Sequence, residues 1–368
     1  MRAGFIALAL VLMAGGFGGC GHPKVSGRTD GVVGDPTATS VGTDATELSE
    51  SGDGSSGDST VTTSDPGPGW PGFPVDEGPP PFYGFWGLNG FVTPRGFEEV
   101  KGALGLTVFQ TANEDPVWTV GTLLPQVRSA GLHVTLRLTG GPEYYTEAGG
   151  FNLAAWKSRL SAWRASGLQP FIDDGTLVGH MLLDDVVNFD TYDPTAADFE
   201  EMARTSKDLF PGLMTFVRQK ATDLPVPAGG RYRWLDAQVN QYEAMEGPVR
   251  DYAVAQAARA RLLGLGVING LNIADGGDGS SRQPGYRSKH WAMSAEEITH
   301  YGETLLAVPT CGMFLNWEYD AQEPWSDGTI GADYFRRAGL QAALYGLSVR
   351  IGVHPHVRLL KPASGLLH

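Results

Sequence analysis

The stretch Gly179-His180-Met181-Leu182-Leu183-Asp184-Asp185 is an apolar run that stops abruptly at two adjacent carboxylates. Such a run reads as a strand covered on both faces, and the carboxyl end of such a strand is where α/β folds place chemistry. Two carboxyl groups whose environments separate their ionisation can work as acid and base on one bond. Side chains alternate along a strand, so only one of Asp184 and Asp185 is expected to face a site. A plainer reading also stands: either aspartate caps a turn or pairs with an arginine. A second carboxylate, Glu318, closes another apolar run at Asn316-Trp317-Glu318, and Glu243 and Asp275 are its substitutes.

These residues need a frame that brings them together. From Tyr83 onward, eight apolar strand-like segments alternate with helical ones. They run Tyr83–Asn89, Leu106–Gln110, Leu132–Leu138, the stretch above, Leu213–Arg218, Trp234–Asn240, Val267–Ile273 and Cys311–Asn316. Helix starts are marked by Thr93-Pro94, by Asn152 ahead of Leu153, Trp156, Leu160 and Trp163 on one face, and by the capping boxes at Thr195 and Ser294. The fifth unit, through Pro225, Pro227, Gly229 and Gly230, carries no clear helix. Eight such units over residues 82–368 predict an α/β fold of the (β/α)8, TIM-like kind. A doubly wound sheet is the runner-up, but no glycine-rich phosphate loop stands between any strand and helix. In a barrel all strand ends share one face. That face would gather Trp86, Asn89, Gln110, Glu114, Arg137, Arg218, Asn240, Gln241, Tyr242, Glu243, Asn272, Asp275 and Trp317 around the carboxylates. Amides, arginines and aromatic rings together suit a sugar, whose hydroxyls need donors and acceptors while its C–H faces lie on rings.

Composition sets the surroundings. The chain has 368 residues and a formal net charge of -14, which disfavours nucleic acid and anionic surfaces as partners. Residues 21–81 are rich in Ser, Thr, Gly, Asp and Pro without period, and such a segment is expected to be a disordered linker. Before it, residues 1–20 show Arg2, an apolar core from Phe5 to Met13 and small residues, as in a secretory signal. Phe17-Gly18-Gly19-Cys20 resembles a bacterial lipobox, which implies lipid on Cys20, an envelope location and a membrane contact through that anchor alone. Cys20 and Cys311 lie in contexts too different for a disulfide. No cofactor motif occurs, and a monomer is expected. His133, His180 and His290 lack zinc-ligand spacing, the Asp275–Ser281 loop reads as a flexible turn rather than a calcium loop, and no G-x-S-x-G elbow is present.

With Asp184-Asp185 closing strand four and Asn316-Trp317-Glu318 closing strand eight, the chain resembles the TIM-barrel glycoside hydrolases and bacterial lipoproteins that look like them. The resemblance places Asp184-Asp185 where many such enzymes carry the acid/base; since glycoside hydrolysis needs two carboxyl groups flanking one bond, the expected pair is Asp185 with Glu318 as acid and base or nucleophile, with Asp184 the substitute for Asp185. The resemblance also implies a sugar platform at Trp317. Strand seven departs from the family, carrying Asn272 and Asp275 where a nucleophilic Glu is usual. The expectation is a glycoside hydrolase acting on a poly- or oligosaccharide; the alternative is a surface protein of the same fold that binds carbohydrate without cleaving it.

Overall fold

The computed structural model describes residues 82–89, 93–147, 150–184, 193–287, 289–308, 312–320, 334 and 336–353. The expected signal segment with Cys20, the linker to residue 81, Asp185 and Cys311 lie outside the described residues. Among the described residues no helix is long and apolar enough to cross a membrane.

Eight parallel strands close into a barrel. In chain order they are β1 (Phe82–Asn89), β2 (Val108–Ala112), β3 (His133–Arg137), β4 (Leu177–Asp184), β5 (Met214–Arg218), β6 (Ala237–Tyr242), β7 (Gly266–Leu271) and β8 (Met313–Asp320). Each pairs with the next, and β1 pairs with β8 from Phe82↔Met313 to Asn89↔Asp320. This is the expected (β/α)8 barrel. Helices α1 (Pro94–Leu104), α2 (Pro116–Trp118), α3 (Leu124–Ser129), α4 (Leu153–Ser161), α5 (Gln169–Asp173), α6 (Ala196–Leu209), α7 (Val249–Leu263), α8 (Ala295–Leu306) and α9 (Ala338–Val353) lie between and after the strands.

Local chemistry accounts for most boundaries. Thr93 accepts from Gly96 N, Pro94 opens α1, and Gly105 ends it in the left-handed region at φ 65°. Asn152 caps α4 by accepting from Ala155 N, and Trp156, Leu160 and Trp163 are buried against the barrel wall. Both capping boxes form, Thr195 with Asp198 and Ser294 with Glu297. The fifth unit has only a 3-10 turn, Ala221–Asp223; α7 reaches over it, Gln256 accepting from Thr222 N and donating to Thr222 Oγ1. Three boundaries move toward the carboxyl end. β2 runs past Gln110 to Ala112, β6 to Tyr242 and β8 to Asp320, beyond the apolar runs that mark them in sequence.

Two cores follow from strand alternation. Phe82, Val108, Met181, Met214, Phe216, Ala237, Val239, Ile268, Met313 and Leu315 fill the barrel. The opposite faces of the same strands, with Phe85, Phe109, Leu136, Leu182 and Val217 among them, pack against the helices in the larger outer layer.

Candidate functional site

Inside the barrel the amino-terminal ends of the strands are apolar and the carboxyl ends turn polar. Trp86 stands level with Gln110, and Gln110 with Thr135, on adjacent strands, while Arg137 lies one inward position further along β3. Asp184 stands level with Arg218. Inward positions therefore stack Trp86, Gln110, Thr135, Arg137, Asp184, Arg218 and Gln241 around the mouth.

Asp184 is held between two guanidinium groups. Arg137 Nη1 donates to Oδ2 at 3.0 Å and Arg218 Nε donates to Oδ1. Arginine only donates, so both carboxylate oxygens serve as acceptors. Arg218 also donates to Gln241 Oε1 at 3.0 Å and lies 5.1 Å from the centre of the Trp86 ring. In this arrangement Asp184 pairs with two arginines, the plainer of its two sequence readings. Beneath this group, Trp86 Nε1, Gln110 Oε1, Thr135 Oγ1 and Arg137 Nε are buried with no hydrogen-bond partner among the described residues. That is two donors, an acceptor and a hydroxyl that can act as either, a set suited to hydroxyl-bearing ligands or water. Burial pushes the nearby Tyr145 phenol up, with Arg137 and Asp184 acting on it in opposite senses.

The other side of the mouth is built by the loop after β7. Asn272 donates from Nδ2 to Glu243 Oε1 at 2.6 Å and accepts from Asp275 N at 3.0 Å. Arg287 donates from Nε to Asp275 Oδ2 at 2.9 Å and from Nη2 to Glu243 Oε1 at 2.8 Å. Partial burial disfavours its charge, but the two carboxylates outweigh that and raise Arg287 above the ordinary arginine range. Glu243, Asn272 and Asp275 thus come together as expected of strand ends, in an ion-pair network that clamps the loop. Its anchor, Arg287, has no periodic or motif signal; a cation beside Tyr286 in a long loop after a strand end is the only clue. Next to it Tyr286 meets Trp317 edge-on, ring centres 5.7 Å apart at 75°.

Two expected cleft residues point elsewhere. Asn240 donates to Asn269 Oδ1 at 3.0 Å in the outer layer, where Asn269 donates on to Leu305 O of α8 at 3.4 Å. Tyr242 packs edge-on against Tyr252 of α7 and Tyr301 of α8, and its hydroxyl donates to Gly247 O at 2.6 Å. Alternation is the reason: Ala237, Val239 and Gln241 face inward, so their neighbours cannot. A cleft wall of Trp86, Tyr242 and Trp317 is accordingly replaced by Trp86, Trp317 and Tyr286. Glu318 is placed by its backbone near the end of β8. Among the described residues no group of three or more His, Cys, Asp or Glu side chains could hold a metal ion.

No protein-family model matches the chain, and no curated protein matches it in sequence. Solved structures do. The GH113 β-mannanase AaManA of Alicyclobacillus acidocaldarius aligns with a TM-score of 0.50 at 12% identity, covering 75% of this chain and 99% of that one. An endocellulase of Pyrococcus horikoshii aligns at 0.46 and 12% identity, covering 74% and 92%. The catalytic domain of the major endoglucanase of Xanthomonas campestris pv. campestris aligns at 0.43 and 11%, covering 72% and 93%. The structural neighbours are glycoside hydrolases, and at these identities the likeness speaks to the fold alone.

Proposed function

We propose that the protein is a glycoside hydrolase acting on a poly- or oligosaccharide at the cell envelope, with Asp185 and Glu318 as its acid and its base or nucleophile. The observation that carries this reading is the barrel mouth itself. Trp86, Trp317 and Tyr286 offer ring faces and edges, while Gln110, Thr135, Arg137 and Gln241 offer donors and acceptors beside them. Sugars are held by that combination of apolar and polar contacts. Glu318 belongs to β8, which stands across the barrel from β4, the strand that ends at Asp184, one residue before Asp185 in the sequence. The barrel enzymes similar in fold, a β-mannanase among them, support the choice of reaction by analogy. Lipid on Cys20 would hold the enzyme where envelope or environmental glycans are met; acyl labelling that persists in Cys20→Ser would remove that part of the proposal.

A second reading is favoured by one feature. Asp184, Glu243 and Asp275, the carboxylates described in the mouth, are each engaged by arginine, which suits binding without cleavage. Screening the protein on a polysaccharide panel for both retention and reducing-end release separates the two. Hydrolysis of an identified glycan is expected to fall by about 100-fold or more in Asp185→Asn and in Glu318→Gln, the low end of general acid–base contributions. Activity intact in both variants would discard the pair; retention without release would establish the binding protein. In a ligand-bound crystal structure, about 5–5.5 Å between the two carboxyl groups would specify retention of configuration and about 6.5–9.5 Å inversion.

A further inference from the structure

Beyond the centre of the mouth, the loops that follow β2 and β3 build a second surface. Tyr144 ends a 3-10 turn there and is 42% exposed. Arg159 of α4 lies over its ring, 3.8 Å from the centre. That guanidinium is fixed in turn: Nε donates to Thr139 O at 2.6 Å, and Nη2 donates to Glu114 Oε2 at 2.9 Å. A hydrogen bond to Glu114, reinforced by its charge, raises the Tyr144 phenol above its ordinary range, so the ring is neutral. Gly140, at φ 78°, lets the chain pass close by; a β-carbon there would fall 2.7 Å from Glu114 Oε1 and 2.8 Å from Tyr144 Cδ2. Segments after two strands and a helix therefore converge to hold one aromatic ring, backed on one side and edged by a carboxylate. Just after Glu114, at the end of α2, Trp118 is 38% exposed.

A surface tyrosine left to itself is free to rotate and seldom has three segments fixing it. A ring held in place beforehand loses little freedom when a partner stacks on it, which is what a binding platform needs. The partner must offer an apolar face for the ring and hydroxyls for the carboxylate at its edge. A pyranose does both.

We propose that Tyr144, backed by Arg159 and edged by Glu114, is an outlying subsite for one sugar unit of a glycan chain whose other units occupy the mouth at Trp86 and Trp317. The proposal rests on the carbohydrate reading above and adds that the ligand is a chain long enough to reach the rim. The test is affinity electrophoresis of the full chain through gels containing galactomannan, xylan or mixed-linkage β-glucan. Tyr144→Ala is expected to bind the retarding polymer about tenfold more weakly, the scale of one lost aromatic platform. Tyr144→Phe, which keeps the ring, should stay within about twofold of the original protein. The thermal midpoint of Tyr144→Phe should be unchanged, and that of Tyr144→Ala should fall by no more than a few degrees, the scale of one lost Arg159–ring contact at about 0.5–1 kcal/mol. Retardation unchanged in Tyr144→Ala but lost in Trp317→Ala would overturn the rim subsite and leave the carbohydrate reading standing. Equal weakening in Tyr144→Ala and Tyr144→Phe would overturn stacking as the contact. If no gel retards the original protein, the carbohydrate reading falls and the subsite with it.

Discussion

His180 lies on the outer face of β4, fully buried, with Nδ1 2.8 Å from Ser206 Oγ and its ring stacked on Trp156 at 6.0 Å. Burial lowers its pKa from 6.5 to about 3. The neutral ring is thus the folded form, while the unfolded chain takes up a proton as the pH falls through its own pKa. Stability from this residue is fully present above about pH 6.5 and is lost on acidification toward about pH 3, at roughly 1.4 kcal/mol per pH unit. Between about pH 7 and about pH 5 the protein should therefore lose roughly 2 kcal/mol more unfolding free energy than His180→Gln, measured in denaturant at both values. Equal acid sensitivity of the two would show that other groups set it. Sequence could not reveal this role, because His180 sits in the same apolar run as its neighbours and only strand alternation turns it away from the mouth. Asp184 and Asp185 show the same limit. Their adjacency is plain in sequence, but that Arg137 and Arg218 close on Asp184 depends on pairing across residues 47 and 34 apart.

At the scale of elements, legibility follows from how local the cause is. Capping boxes at Thr195 and Ser294, the Pro94 start and the Asn152 cap are written within four residues, and each forms where it is read. Strand ends are less local. The apolar run marks the part of a strand that is covered on both faces, and at the mouth one face becomes the site, so polar residues continue the strand past the run. This is why β8 extends through Trp317 and Glu318 and why β6 continues to Tyr242. The loop after β7 is legible only as a loop. Its order comes from contacts that local patterns do not encode: Arg287 on Glu243 and Asp275, and Glu297 Oε1 accepting from Asp278 N at 2.6 Å while its Oε2 accepts from Ser280 Oγ at 3.0 Å. The helix that this glutamate caps is thereby tied to the loop that carries Tyr286 to Trp317.

For the molecule as a whole, the decisive step is closure of the sheet, and closure depends on two strands approaching their neighbours without side chains between them. A β-carbon on Gly84 of β1 would fall 1.6 Å from Val108 O of β2, and one on Gly270 of β7 would fall 1.8 Å from Leu315 O of β8. Neither glycine has a positive φ, so their requirement is space, not backbone freedom. Overfilling a core costs about 1–3 kcal/mol when side chains can yield. Here the obstacle is the backbone of the adjoining strand, so the cost should reach at least the top of that range. Gly346, in the middle of α9, meets nothing within 4 Å; there the same change should stabilise by roughly 0.5–1 kcal/mol, because glycine inside a helix is unfavourable. One substitution type is thus expected to act in opposite directions. Gly270→Ala should lower the denaturant midpoint sharply or leave the protein insoluble, while Gly346→Ala should raise the midpoint slightly. A Gly270→Ala protein that unfolds at the same denaturant concentration as the original would mean that β7 and β8 do not close the barrel through this contact, and the sheet order at that seam would have to be redrawn.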